Sequence, residues 1–289
     1  MTNLRSIEQI MAPPAPHWVG DAFRVHNFFP GNLDMKRMSP FFLLDYGAKI
    51  EFPPSDTPRG VGVHPHRGFE TVTIAYHGKV AHHDSAGHSG VIGEGDVQWM
   101  TAASGILHKE YHEEAWSKKG GMAQMAQIWV NLPAKDKMSN PKYQSLKHDD
   151  LKKFTSPGQQ SEVEVIAGNY NGTLGIAKTF TPIEMYNAYV KNGEEILFSF
   201  PKHYNTAFLV IEGNVKVNES DVPADYFVLF ANDGTDIKLT ATENAIVLVL
   251  SGEPIHEPIV SYGPFVMNTK QEILQAYNDL NAGKFGYLD

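Results

Sequence analysis

HPHRGFETVTIAYHGKV, residues 64–80, decides how the rest of the chain is read. Phe69 to Tyr76 is a run dominated by aromatic and β-branched residues, Gly78 breaks it, and Val80 resumes the apolar pattern. That is a strand, a tight turn and a second strand. Working outward, similar short runs at Ala126 to Leu132, Thr206 to Ile211 and Ala245 to Leu250 stand between closely spaced Gly and Pro. Short strands between frequent turns predict an all-β sandwich or barrel.

The same stretch finds a weak copy of itself. Thr71-Val-Thr-Ile-Ala-Tyr-His-Gly78-Lys-Val80 lies against Thr206-Ala-Phe-Leu-Val-Ile-Glu-Gly213-Asn-Val215 at an offset of 135 residues. Gly95-Asp-Val-Gln-Trp-Met100 then resembles Asp225-Tyr-Phe-Val-Leu-Phe230, and Gln127-Ile-Trp-Val-Asn-Leu-Pro133 resembles Ile246-Val-Leu-Val-Leu-Ser251. Two copies of one β unit follow from this, and a length of 289 residues suits two domains of ordinary size. The expected division is 1–155 and 156–289, with the polar stretch Thr155 to Glu162 as linker. Helical periodicity is scarce. Thr269 as cap, Glu272 three residues on, and Ile273, Leu274, Tyr277 and Leu280 predict a helix up to Ala282. A second helix is expected near Pro141 to Lys153.

Composition excludes several classes. The start MTNLRSIEQIMAPPAPHWVGD lacks the apolar centre of a secretory signal. No run approaches the roughly 18–20 apolar residues of a membrane span, so a cytoplasmic protein is expected. A formal net charge of −9 disfavours direct nucleic-acid or anionic-membrane contact. Cysteine is absent, which removes disulfides and thiolate sites and leaves imidazole and carboxylate to bind any metal.

His64-Pro-His66 is the sharpest motif, because residues two apart on a strand share a face and their imidazoles can converge. His108-Lys-Glu110 repeats the spacing after the turn-like Ala102-Ala-Ser-Gly105. Three nitrogens and one oxygen suit iron(II), manganese, nickel, copper or zinc. With 13 histidines a chance HxH is not rare, but two such pairs beside Gly turns outweigh that reading. Glu70 competes for the carboxylate position, since on one continuous strand it would share the face of His64 and His66. His77, His82, His83, His88 and His112 surround the same region; His82, His83 and His88 fall in HHDSAGHSG, which reads as a solvated hairpin tip. His112 continues the parity of His108 and Glu110, either orienting a ligand or lying at the surface.

HPHRGFETVT (64–73), HSGVIGEGDVQWMTAASGILHKE (88–110), QIWVNLP (127–133), EPIVSYGPFVMNT (257–269) and AGKFG (282–286) together resemble the pirins, a branch of the cupin superfamily. The resemblance covers nearly the whole chain. It implies a bicupin, two tandem antiparallel β-barrels of jelly-roll type with a short C-terminal helix and a tail, Gly263 to Thr269, that braces the N-terminal barrel. It implies one metal in the N-terminal barrel, iron(II) first, with manganese, nickel, cobalt, copper or zinc as alternatives. His64, His66, His108 and Glu110 match its ligands, which demotes Glu70. Under the offset, His64 and His66 fall opposite Ser199 and Pro201; the region matching His108 to Glu110 contains Ile237 and Leu239, so the C-terminal barrel is expected to lack a site.

Bacterial pirins resemble quercetin 2,3-dioxygenases, which open a flavonol ring with O2 and release carbon monoxide. Carried over, this implies a small aromatic, flavonol-like substrate and O2, with Glu110 as the base for the 3-hydroxyl proton. Met100, Trp99, Met122, Met125 and Phe69 are candidate pocket residues. The competing reading is an iron-dependent, redox-sensing regulator that acts through a protein partner; a vestigial storage site ranks last. A monomer is the expected state.

Overall fold

The computed structural model describes residues 3–289 and is built almost wholly of antiparallel strands. Its chain forms two compact units. The first holds residues 3–14, Arg37–Pro40 and Asp150–Pro254; the second holds Ala15–Lys36, Phe41–Asp149 and Ile255–Asp289. This departs from a single cut near residue 155. The strand Ile7–Met11 pairs with Phe227–Phe230 and so belongs to the first unit, whereas Phe265, Ile273, Ala276 and Phe285 share an apolar cluster partnered by Leu107 of the second.

Each unit is built on two main sheets, one of seven strands and one of four, with a two-stranded ribbon besides. In the second unit the larger sheet runs Lys142–Leu146, Val97–Thr101, Phe69–His77, Gly121–Asn131, Phe41–Phe52, Phe23–Phe29, His17–Val19; the smaller runs Gly60–His66, Ile106–His112, Val80–Asp84, Ser89–Ile92. In the first unit the larger runs Ile7–Met11, Phe227–Phe230, Asn205–Glu212, Ala245–Gly252, Ile183–Val190, Glu162–Ala167, Lys152–Thr155; the smaller runs Glu195–Ser199, Asp236–Ala241, Val215–Val217, Ser220–Val222. The expected barrels are thus two-sheet cupin sandwiches whose ladders do not close. The strands aligned by the sequence repeat occupy matching places: Phe69–His77 with Asn205–Glu212, Val97–Thr101 with Phe227–Phe230, Gly121–Asn131 with Ala245–Gly252.

Period-two alternation explains what lies between the sheets. Along Asp236–Ala241, Ile237, Leu239 and Ala241 are buried and meet Phe208, Val228 and Val249 of the facing sheet in one apolar core. Along Ile106–His112 the buried set is instead Ile106, His108, Glu110 and His112.

The C-terminal helix Lys270–Asn281 is present. Its capping box is complete, with the Glu272 N–H donating to Thr269 Oγ1 and the Thr269 N–H donating to the Glu272 carboxylate at 2.7 Å. Ile273 and Ala276 carry its buried face, while Leu274 points to solvent. The helix expected near Pro141 to Lys153 is replaced by the strands Lys142–Leu146 and Lys152–Thr155 around a 3₁₀ turn, His148–Asp150. Ladder hydrogen bonds from Lys142–Leu146 to Val97–Thr101 override the local tendency. The expected linker is a hairpin loop, because Lys152–Thr155 pairs directly with Glu162–Ala167. Among the described residues, no helix is long and apolar enough to cross a membrane.

Candidate metal centre

Gly60–His66 and Ile106–His112 are neighbours in the four-stranded sheet, with His64 opposite His108 and His66 opposite Ile106. Alternation aims all three imidazoles at the seven-stranded sheet, and their ligand atoms lie within 4.8 Å of one another. Ring centroids are 4.1 Å apart for His64 and His108 and 4.8 Å for His66 and His108.

Hydrogen bonding shows which nitrogens are free. His64 Nδ1 lies 2.8 Å from the Gly62 carbonyl, which can only accept, so the proton sits on Nδ1 and Nε2 is bare. The His66 ring bonds the Pro264 carbonyl, and its Nδ1 is buried without a partner. His108 Nε2 is likewise buried and unpartnered. Burial first, then His64, pushes the His66 imidazolium well below its ordinary range; burial, then His66, His64 and His82, does the same to His108. Neutral rings with bare nitrogens converging on one point are what a divalent cation requires, and unpartnered buried polar atoms otherwise cost about 1–3 kcal/mol each. The residues fit a metal.

Glu110 is not part of that three-imidazole cluster. Its carboxylate lies in the same cavity and accepts from Gln127 Nε2 at 3.1 Å, from Gln98 Nε2 at 3.4 Å and from the Thr73 hydroxyl at 3.5 Å. A bulge between His108 and Glu110 shifts the pairing from His64 to Val61.

The cavity between the sheets measures about 400 Å³. Phe23, Val25, Leu43, Met125 and Trp129 supply apolar wall, and Asp45, Gln127, His64, His66 and Glu110 supply the polar points. Asn27 Nδ2 donates to Asp45 Oδ1 at 2.8 Å, and burial raises the Asp45 pKa. Of the expected pocket residues only Met125 lines this space. Phe69 stands behind Trp129 at 4.2 Å, Trp99 and Met100 are fully buried elsewhere, and Met122 is exposed.

Several expectations are corrected. Glu70 does not share the face of the histidines, because Arg67 and Gly68 interrupt the chain and carry Phe69–His77 into the other sheet. Gly68 takes φ +91°, and a Cβ there would sit 2.0 Å from the Val266 carbonyl oxygen. Glu70 instead accepts from the Thr101 hydroxyl at 2.7 Å, on the face opposite Thr73. His82 is not a solvated loop residue: it is fully buried, on the strand Val80–Asp84, and bonded to Asp84. His83 and His88 are partly exposed, one meeting the Tyr111 hydroxyl and the other Asp84. His112 neither reaches the cluster nor the surface; Phe52 and Trp116 enclose it at 4.6 and 4.8 Å, and burial lowers its pKa to about 4.

Sequence reasoning missed Asp45, Gln98, Gln127, His82 and Asp84. For Asp45, Gln98 and Gln127 the signal is a polar residue at inward parity between apolar ones on its strand; for His82 and Asp84 it is the His82-x-Asp84 spacing, which repeats the period-two spacing of the ligands themselves.

Residues 22–130 match the family Pirin, and residues 185–286 match the Pirin C-terminal cupin domain. The chain is 47% identical over 269 residues, 93% of its length and 94% of the relative's, to a Pseudomonas aeruginosa protein named "Putative quercetin 2,3-dioxygenase PA2418". It is 40% identical over 261 residues, 89% of its length and 85% of the relative's, to "Pirin-like protein" of Solanum lycopersicum. A crystal structure described as quercetin 2,3-dioxygenase from Acinetobacter baumannii superposes with a TM-score of 0.94 at 42% identity, covering 99% of this chain and 100% of that one.

Proposed function

The chain belongs to the pirin family, and we propose that it is a metal-dependent dioxygenase that opens a flavonol-type ring, with His64, His66, His108 and Glu110 holding one divalent ion, iron(II) first. The observation that carries this is the set of bare imidazole nitrogens of His64, His66 and His108 at the wall of an otherwise largely apolar cavity. A volume of about 400 Å³ falls within the range of small-molecule sites. The relatives named as quercetin 2,3-dioxygenases supply the substrate class.

When bound, the ion supplies Lewis acidity toward the substrate's 3-hydroxyl and 4-carbonyl edge and the electronic means to engage O2. The protein's own groups do the rest. Glu110 takes the 3-hydroxyl proton onto its carboxylate, and the amides of Gln127 and Gln98 hold that carboxylate toward the cavity. Phe23, Leu43, Met125 and Trp129 exclude water from the ring system. Asp45, steadied by Asn27, offers an acceptor for a further hydroxyl. The ring opening inserts both atoms of O2 into the product and expels the former C3 as carbon monoxide.

The test is aerobic turnover of quercetin, followed by its visible absorbance and by carbon monoxide release. The protein is reconstituted anaerobically with Fe(II), Mn(II), Ni(II), Co(II), Cu(II) or Zn(II), with His64→Ala and Glu110→Gln as controls. Metal-dependent turnover lost in both variants is expected. A filled site with no turnover would remove the dioxygenase reading in favour of a redox-linked regulator.

A further inference from the structure

The hairpin beside the metal centre carries a buried polar chain that the proposed chemistry does not use. Val80–Asp84 pairs with Ile106–His112 so that Asp84 stands opposite His108 and His82 opposite Glu110. The side chains of His82 and Asp84 are wholly inaccessible. Asp84 Oδ1 accepts from the backbone N–H groups of Ala86 and His88, both at 2.9 Å, which locks the carboxyl in the turn. Its other oxygen, Oδ2, lies 3.3 Å from His82 Nε2. Burial alone would raise the Asp84 pKa, but the bonds from His82 and the His88 backbone outweigh it and hold the carboxyl below the usual range.

One set of donor and acceptor roles satisfies the whole chain. A carboxylate only accepts, so the His82 proton is on Nε2 and Nδ1 is an acceptor. Two donors approach that Nδ1, His108 Nδ1 and Gln98 Nε2, each at 3.4 Å. With its proton on Nδ1, His108 presents a bare Nε2, the atom found buried and unpartnered. Tyr143 stacks on His82 at 5.1 Å and 14°, which fixes the plane of the ring. His64 and His66, by contrast, bond neutral backbone carbonyls.

We propose that Asp84 and His82 are positioning residues that set the tautomer and basicity of His108, so that a buried carboxylate acts on the metal through two imidazoles in series. This deepens the metal-centre reading and rests on it. Carboxylate-backed imidazole ligands are worth about 10–100-fold in metal affinity.

One substitution reverses the chain. In Asp84→Asn the amide oxygen keeps both backbone bonds while Nδ2 turns a donor toward His82. His82 must then carry its proton on Nδ1, facing the Nδ1 proton of His108, and the conflict is relieved only if His108 protonates Nε2 and gives up ligation. His82→Phe removes the relay without imposing the wrong tautomer, and His82→Gln retains an acceptor.

The experiment titrates Co(II) into the metal-free full chain, reading its visible ligand-field bands and its competition with a chelating dye. Asp84→Asn is expected to weaken Co(II) by about 10–100-fold and to change the band pattern. His82→Phe is expected to lose less, His82→Gln to recover affinity relative to His82→Phe, and His82→Phe added to Asp84→Asn to cause no further loss. Thermal melts of the metal-free proteins separate these effects from unfolding, and if Asp84→Asn does not fold, the His82→Phe and His82→Gln pair carries the test. Variants that bind Co(II) within about twofold of the parent, with unchanged bands, would overturn the relay while leaving the metal centre standing. A parent that takes up no Co(II) would overturn both.

Discussion

The two sandwiches share a strand order but differ in what fills the space between their sheets. Val80 and Val215 follow equivalent turns and pair with His112 and Ala241. Stepping two residues at a time along each ladder sets Glu110 against Leu239 and His108 against Ile237, and across the ladder His64 against Phe198. His66 then corresponds to Phe200. On the facing sheet Gln98 and Gln127 both pair with Thr73, while Val228 and Val249 both pair with Phe208. Each polar group just named therefore has an apolar counterpart, and those counterparts lie in one buried cluster. The frame itself needs no site. One copy is packed solid, and the other gives up core at the same positions, each worth about 1.5–3 kcal/mol when filled by a large apolar side chain.

The largest effect should come from making the histidine unit resemble its neighbour. His64→Phe, His66→Phe, His108→Ile and Glu110→Leu together are expected to reduce metal content to background and abolish turnover, as read by elemental analysis and the quercetin assay. The metal-free variant should melt higher than the parent, because buried polar atoms without partners are replaced by apolar contact. A lower melting temperature would show that the solid packing also needs the facing residues, Phe208 and Val249, and would break the equivalence of the two units.

The converse substitution tests the solid copy. Phe198 is fully buried among aromatic neighbours, 5.4 Å from Phe208 and from Tyr170. Phe198→Ala should cost about 3–5 kcal/mol in denaturant unfolding. His64→Ala in metal-free protein should cost under about 1 kcal/mol, since the ring borders a cavity already there. Equal losses would mean that the hollow unit is as tightly packed as the filled one.

The sequence showed the repeat and the three clustered imidazoles because both rest on period-two spacing, which survives without knowledge of the partner strand. What it concealed required that knowledge. Counting parity straight through Arg67 and Gly68 placed Glu70 with the histidines, when the turn there moves it to the other sheet. The offset of 135, sound along Phe69–His77, pointed to Ser199 and Pro201, one residue out of phase with the inward Phe198 and Phe200. Asp, Ser and Gly place the hairpin tip too early, so His82 and Asp84 read as loop, whereas the turn begins only after Asp84. In each case a local pattern was extended one turn too far, and a register set by hydrogen bonds across the sheet decided the outcome.

Glu70 gives the smallest of these tests. Its counterpart in the solid unit is Asn205, a neutral amide whose Nδ2 donates to the Ser39 carbonyl at 2.7 Å. Burial, opposed chiefly by the Thr101 hydroxyl and the neighbouring Trp99 side chain, raises the Glu70 pKa from 4.5 to about 7. Below pH 4.5 folded and unfolded chains both hold the proton. As pH rises from 4.5 to about 7 the unfolded chain releases it and the folded chain does not, so this group subtracts stability across that window. The full loss, up to about 3 kcal/mol, is reached above the folded value. Glu70→Gln should therefore be nearly neutral in urea unfolding at about pH 5 and stabilising at about pH 8, since the amide keeps an acceptor for Thr101 and cannot ionise. A gap of the same size at both pH values would assign the effect to packing, and the contrast between Glu70 and Asn205 would then carry no electrostatic meaning.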